Sequence, residues 1–134
     1  DIKSQGALAI AAHPVWTRKL EKQTFYLWNH KDRFRHSFDA WEAASGKHLS
    51  REVISENLPI IANSDMHRRK QFSSWKTALH SDLDTHAILN AIRLQKLSLT
   101  YFEENKKNER SIIPHLVDRT PAYGFGNDLI SQTL

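Results

Sequence analysis

The chain predicts an α/β fold built on a parallel sheet, and three observations carry that expectation. Short apolar runs of strand length recur without the polar alternation of a sheet with one wet face. Stretches with helical apolar spacing separate them. Two of the runs end in metal-binding chemistry, His13-Pro14 after residues 6–12 and Asp65-Met66-His67 after residues 58–64. Ligand sites in parallel α/β folds lie at the carboxyl ends of the strands.

Residues 6–12 read as the first strand, apolar on both faces. Thr17 then offers an N-cap, and Leu20, Thr24, Leu27 and Trp28 recur at helical spacing through 17–31. Residues 37–43 read as a second strand, and Ser45-Gly46 breaks it. Ser50 opens a short helix to about residue 57 that turns Val53 and Ile54 inward. Its N3 position holds Val53 rather than Glu or Gln, so the capping box is incomplete. Pro59 begins the third strand, to Ser64, and the polar stretch 68–84 reads as a loop. Asp84 caps a helix over 85–96, in which Ala87, Ile88, Ala91, Ile92 and Leu94 form an apolar stripe. Residues 97–102 alternate as a fourth strand. Strand and helix thus alternate along the chain, as parallel crossover units require.

After Phe102 comes a charged linker, Glu103 to Arg110, and then an irregular tail. The expected division is 1–102 as the body and 103–134 as linker and tail. The chain opens on Asp1 rather than Met and enters a strand almost at once, which reads as a fragment, a processed chain or a boundary cut within a longer one.

At 134 residues, with 40% hydrophobic and 25% charged residues, the composition suits one ordinary globular domain. No apolar run of about 18 residues is present to span a membrane. The absence of cysteine excludes disulfides and thiolate metal sites and fits the cytoplasm. A formal charge of +4 permits phosphorylated partners without demanding them.

His13, Asp65 and His67 fall at one rim of the expected sheet. Imidazole and carboxylate are the donors a hard or borderline divalent cation takes where thiolates are absent. Asp-x-His on extended backbone presents both side chains on one face. Each residue also has an ordinary use, His-Pro as a structural turn and Ser-Asp as a cap or turn; their convergence on one rim favours the site. Arg68, Arg69 and Lys70 follow at once and can meet a phosphate or simply solvate a loop. Glu42 has two readings, a partner that orients a ligand histidine or an edge residue in an ion pair. Trp16 and Trp75, near strand ends, are the aromatics best placed to line a pocket. The other histidines lack ligand spacing, with His80 and His86 nearest the rim.

The strand ending at His13-Pro14, the strand carrying Asp39-Ala40-Trp41-Glu42, and Leu58 through Ser64-Asp65-Met66-His67 together resemble the PHP (polymerase and histidinol phosphatase) family. Trp75-Lys76-Thr77 and the helix–strand unit 84–102 follow in the same order, so the resemblance covers about residues 6–102. It implies a distorted seven-stranded βα (TIM-like) barrel with parallel strands and outer helices. It further implies two or three zinc, manganese or iron ions that support phosphoester hydrolysis. His13 matches the third-motif histidine ligand, and Asp65 and His67 match the fourth-motif ligands, with Asp65 and His67 also the expected catalytic groups. Arg68 and Arg69 are the expected substrate contacts, for a phosphorylated small molecule or nucleotide. Asn63 stands where the family has glycine.

The family's first motif, His-x-His, and its second motif are absent. The chain therefore reads as the carboxyl-terminal half of such a domain, with the rest on a missing amino-terminal segment or a second chain, and it is expected to be inactive alone. Two other functions compete: an inactive half-barrel used as a binding or regulatory module, and an amide- or deaminase-type hydrolase, whose usual lysine signature is not evident.

Overall fold

Two small sheets share one apolar core. The computed structural model describes residues 2–16, 22–104 and 110–112. The expected Thr17 cap and Leu20, most of the charged linker and the tail from 113 onward lie outside the described residues.

β2 (Ala40–Ser45) is buried along its whole length and organises the first sheet. β1 (Ile10–Ala11) runs parallel to it, Ile10 opposite Ala40 and Ala11 opposite Trp41. β4 (Ile60–Asn63) also runs parallel to β2, with a register shift between Glu42 and Ala44. β3 (His48–Leu49) folds back antiparallel through the turn at Gly46 and Lys47. Gly46 has φ +57, a conformation that glycine adopts without steric cost. Its N–H donates to Asn63 O at 3.2 Å and its carbonyl accepts from Trp75 N–H at 2.8 Å, so one turn ties both sheets together.

The second sheet is wholly antiparallel. β5 (Ser74–Leu79), β6 (Leu97–Phe102) and β7 (Arg110–Ile112) lie in that order. Helix α4 (Thr85–Arg93) connects β5 to β6. Asp84 caps it as expected, its carboxylate accepting from His86 N–H and Ala87 N–H. Helices α1 (Lys22–Asn29) and α3 (Arg51–Ser55) add residues to the core beneath the first sheet, and the short α2 (Lys31–Phe34) follows α1. Ser50 caps α3 through Val53 N–H. Trp28 and Trp41 meet edge to face at 6.0 Å, and the core continues through Val53, Ile60, Trp75, Leu97 and Leu99.

The expected piece of a parallel βα barrel is corrected here: among the described residues there are two separate sheets, one mixed and one antiparallel, and no closed barrel. The cause lies at β4, which among the described residues pairs with β2 alone. Along its other side, polar side chains stand where a next parallel strand would lie. Gln95 Oε1 accepts from Ile60 N–H at 2.7 Å. The Thr77 hydroxyl accepts from Ala62 N–H at 2.9 Å and donates to Ala62 O at 2.6 Å. With those backbone groups satisfied, no further ladder is required. The region 68–84, expected as a loop, supplies β5, so β6 meets an antiparallel neighbour rather than β4.

The first strand is also shorter than the expected 6–12. Asp39 takes the ladder's place there, its carboxylate accepting from Ala9 N–H at 2.9 Å and its own N–H donating to Ala9 O at 2.8 Å. No helix among the described residues is long and apolar enough to cross a membrane.

Candidate functional site

A cleft of about 680 Å³ opens where β1, β2 and β4 end, lined by His13, Trp16, Ser45, Lys47, His48, Asp65 and His67 among others. Residues fifty apart in sequence reach it because β1 and β4 both run parallel to β2. Trp16 forms one wall, its ring centroid 5.9 Å from that of His48.

Asp65 and His67 form a pair, His67 Nε2 lying 3.1 Å from Asp65 Oδ1. Their side chains are 48% and 78% exposed, so the pair is screened and holds the fold only weakly. Gln71 fixes their loop instead, accepting from His67 N–H at 3.0 Å through Oε1, with its amide 3.5 Å from Asp65 O. Asn63 Oδ1 accepts from Asp65 N–H at 2.8 Å. Asn63 thus makes a local turn that supports the following acid.

Among the described residues, four non-glycine positions have left-handed backbone: His13 at φ 29, Asn57 at φ 55, Asp65 at φ 45 and Gln95 at φ 54. Asn57 and Gln95 each follow a helix C-cap, where this conformation closes the last turn. His13 and Asp65 end no helix. Strained backbone of this kind persists where the surroundings impose it and gathers at functional sites, and here both instances face one cleft.

Glu42 lies behind His13 on β2 and is 0% exposed. Its Oε2 accepts the His13 backbone N–H. Among the described residues, Oε1 finds no hydrogen-bond partner of ordinary geometry. Burial pushes the Glu42 carboxyl above its usual range; the His13 N–H, the nearby Ser45 hydroxyl and the His13 charge oppose this, and the Asp65 charge adds to it.

The cleft therefore gathers the three expected ligands, but they do not stand as a finished cation site. The donor chemistry suits a divalent ion. Among the described residues, however, no group of three His, Asp or Glu side chains is arranged to hold one. No family model matches the chain, and no curated protein is significantly similar to it.

Arg68 and Arg69 are exposed and do not line the cleft; Lys47, on the hairpin turn, does. His80 and His86 are likewise exposed and away from its lining. Trp75 is 7% exposed and packs edge to face on Tyr101 at 5.6 Å, a core residue rather than a pocket wall. His48 and Gln71 were not singled out by ligand spacing. His48 could have been found from the Gly46 break, since a tight turn folds the chain back onto β2. Gln71 gave no signal, because a glutamine that braces a loop resembles any other polar residue there.

Proposed function

We propose that this chain supplies His13, Asp65 and His67 to a metal-dependent site that hydrolyses phosphoesters, in the manner of PHP domains. The observation that carries the reading is the meeting of His13 with the Asp65–His67 pair at one cleft, two of the three on strained backbone. A bound zinc, manganese or iron ion would supply activated water and charge neutralisation for such a reaction. The chain's own residues have narrower tasks. The Asp65–His67 pair can accept or hand on a proton at the cleft mouth. Gln71 keeps the two in register. Lys47 on the wall, with Arg68 and Arg69 on the adjoining loop, offers positive charge to a phosphorylated small molecule or nucleotide. Two or three ions need more donors than these three, so the reading calls for further ligands from another segment or a second chain. A cysteine-free chain with this chemistry suits the cytoplasm.

One observation favours a second reading, a binding or regulatory module without chemistry: the three donors are not arranged around a common point. A titration separates the two. Zinc and manganese are added to the chain and to its Asp65→Ala/His67→Ala variant, with a chromogenic chelator reporting free metal. Hydrolysis of p-nitrophenyl phosphate, bis(p-nitrophenyl) phosphate and a p-nitroanilide is followed alongside. The phosphoesterase reading expects saturable metal uptake that the double variant loses. It expects phosphate release, not amide cleavage, once the missing ligands are supplied. Absence of uptake by the wild-type chain, or uptake unchanged in the double variant, ends it.

A further inference from the structure

We propose that Lys76 is a nucleophilic amine on the outer face of the second sheet, and that it forms an imine with a small aromatic aldehyde held against the ring of Phe72. The site is separate from the cleft, whose lining does not include Lys76, and the proposal calls on no metal ion.

The register of β5 sets the position. Trp75 and Leu79 turn toward the core, so Ser74, Lys76 and Ala78 lie on the opposite face. Across the ladder Phe102, Thr100 and Ser98 stand opposite those three, and on β7 Ser111 stands opposite Thr100. Lys76 aside, none of these residues carries a charge. Glu103 and Glu104 lie beyond the end of β6, and neither pairs with Lys76. The neighbouring β4 has no charged residue. On α4, which also reaches β5, Asp84 is engaged by its own helix's N–H groups, Arg93 by Asp39 and Gly6, and His86 makes no pair with Lys76.

Lysine is an uncommon residue for the middle of a strand, and its ammonium normally reaches water or a carboxylate. Half-buried Lys76 has a different setting. Its Nζ donates to the Ser74 hydroxyl oxygen at 2.7 Å, and Ser74 is 0% exposed. The amine stands over the Phe72 ring, 5.4 Å from the centroid. Phe72 meets Phe102 edge to face at 5.2 Å and is itself 42% exposed. Burial pulls the amine below its usual 10.5. The ring face favours the ammonium only weakly at such a site, so burial prevails.

Lysines desolvated by apolar neighbours attack carbonyl compounds because more of the amine is free base near neutral pH. The bond to Ser74 occupies an N–H and not the lone pair, so it holds the nitrogen without blocking attack. That lone pair forms a C–N bond to the aldehyde carbon, and a proton moves from nitrogen to the carbonyl oxygen. The oxygen then leaves as water with the second nitrogen proton, and the nitrogen lone pair closes the C=N bond. The exposed Phe72 ring gives a flat aldehyde a surface to lie against, since aromatic rings gain from offset or edge-to-face contact.

The test uses the full chain with EDTA present, so that no cation in the cleft enters the result. Benzaldehyde or propanal is added with sodium cyanoborohydride, which fixes each imine as a secondary amine. Mass spectrometry of the peptides then gives the rate at each lysine, with exposed Lys47 and Lys96 as references. Near neutral pH benzaldehyde should label Lys76 at least about threefold faster than either reference, and propanal should show a smaller preference. The preference should shrink as pH climbs toward 10.5, where ordinary lysines also become free base. Phe72→Leu keeps an apolar side chain and loses the ring, so it should bring the benzaldehyde preference down to that of propanal, with circular dichroism checking that the variant folds. Equal rates at the three lysines overturn the proposal, and so does a benzaldehyde preference that F72L leaves unchanged. A preference that propanal shares in full overturns it as well, and that comparison needs only the wild-type protein.

Discussion

Thr77→Val tests the joint between the two sheets. The side chains are nearly the same shape, so the variant removes a hydroxyl and little else. In the wild type that hydroxyl satisfies both Ala62 N–H and Ala62 O, and Ala62 is only 3% exposed. Valine leaves both backbone groups without partners. Each of the two orphaned groups costs about 1–3 kcal/mol, and the added methyl returns about 0.8 kcal/mol, so a net loss of about 1–5 kcal/mol is expected. With a urea slope of about 2 kcal/mol/M, the midpoint falls by about 0.5–2.5 M. Thr77→Ser keeps the hydroxyl and loses one methyl, for about 1 kcal/mol. Equilibrium urea unfolding of the three proteins, followed by tryptophan fluorescence, separates the two effects. A valine variant no less stable than the serine variant would show that the hydroxyl does not hold the sheets together.

Three further outcomes follow from the same structure. Gly46→Ala should cost about 1 kcal/mol by urea unfolding, from the left-handed backbone at φ +57 alone. The nearest atom to its new Cβ would be Ser64 O at an ordinary 3.7 Å, so no clash adds to this. Asp84→Ala removes the α4 cap and should cost about 1 kcal/mol, read as a lowered melting temperature. Lys76 gives a pH signature. Burial pulls its amine below the usual 10.5, so above the folded-state value the unfolded chain holds more protons than the native one. Native stability attributable to Lys76 should therefore rise as pH climbs through that value toward 10.5. Lys76→Met should remove this rise, and an unchanged alkaline slope in urea titrations would contradict the assignment.

Much of the fold was legible where local chemistry and tertiary packing agree. Residues 97–102 alternate cleanly and form β6 over the same residues. Ser50 and Asp84 are caps in sequence and in structure because their side chains satisfy helix N–H groups within three residues. The apolar run before Asn63 forms β4. The second sheet was hidden for a physical reason. In β5 the residues Trp75, Thr77 and Leu79 alternate with Ser74, Lys76 and Ala78, and Thr77 is at once polar and inward-acting. A strand whose key contact is a hydroxyl on a neighbour's backbone carries no hydrophobic signature at that position. The second strand starts three residues later than its apolar run suggests, because Phe38 extends that run while Asp39 bonds to Ala9 outside the regular ladder.

The site divides in the same way. His13, Asp65 and His67 could be proposed from their chemistry and strand-end positions, and all three line the cleft. Glu42 could be noticed but not interpreted, since its burial depends on both neighbours of β2. Arg68 and Arg69 follow the ligands in sequence but face solvent, and the hairpin lysine Lys47 reaches the wall in their stead.

The side-chain closure along β4 has a consequence for how the molecule comes apart. A continuous ladder frays bond by bond from an end, whereas a seam held by Thr77, Gln95 and the Gly46 turn can release in one step. Amide exchange at Ile60 and Ala62 should then report a smaller opening than exchange at Trp41, whose N–H donates to Pro59 O deep in the first sheet. In that opened form the bared flank of β4 offers unsatisfied backbone to any extended peptide, and self-association on mild heating would begin there.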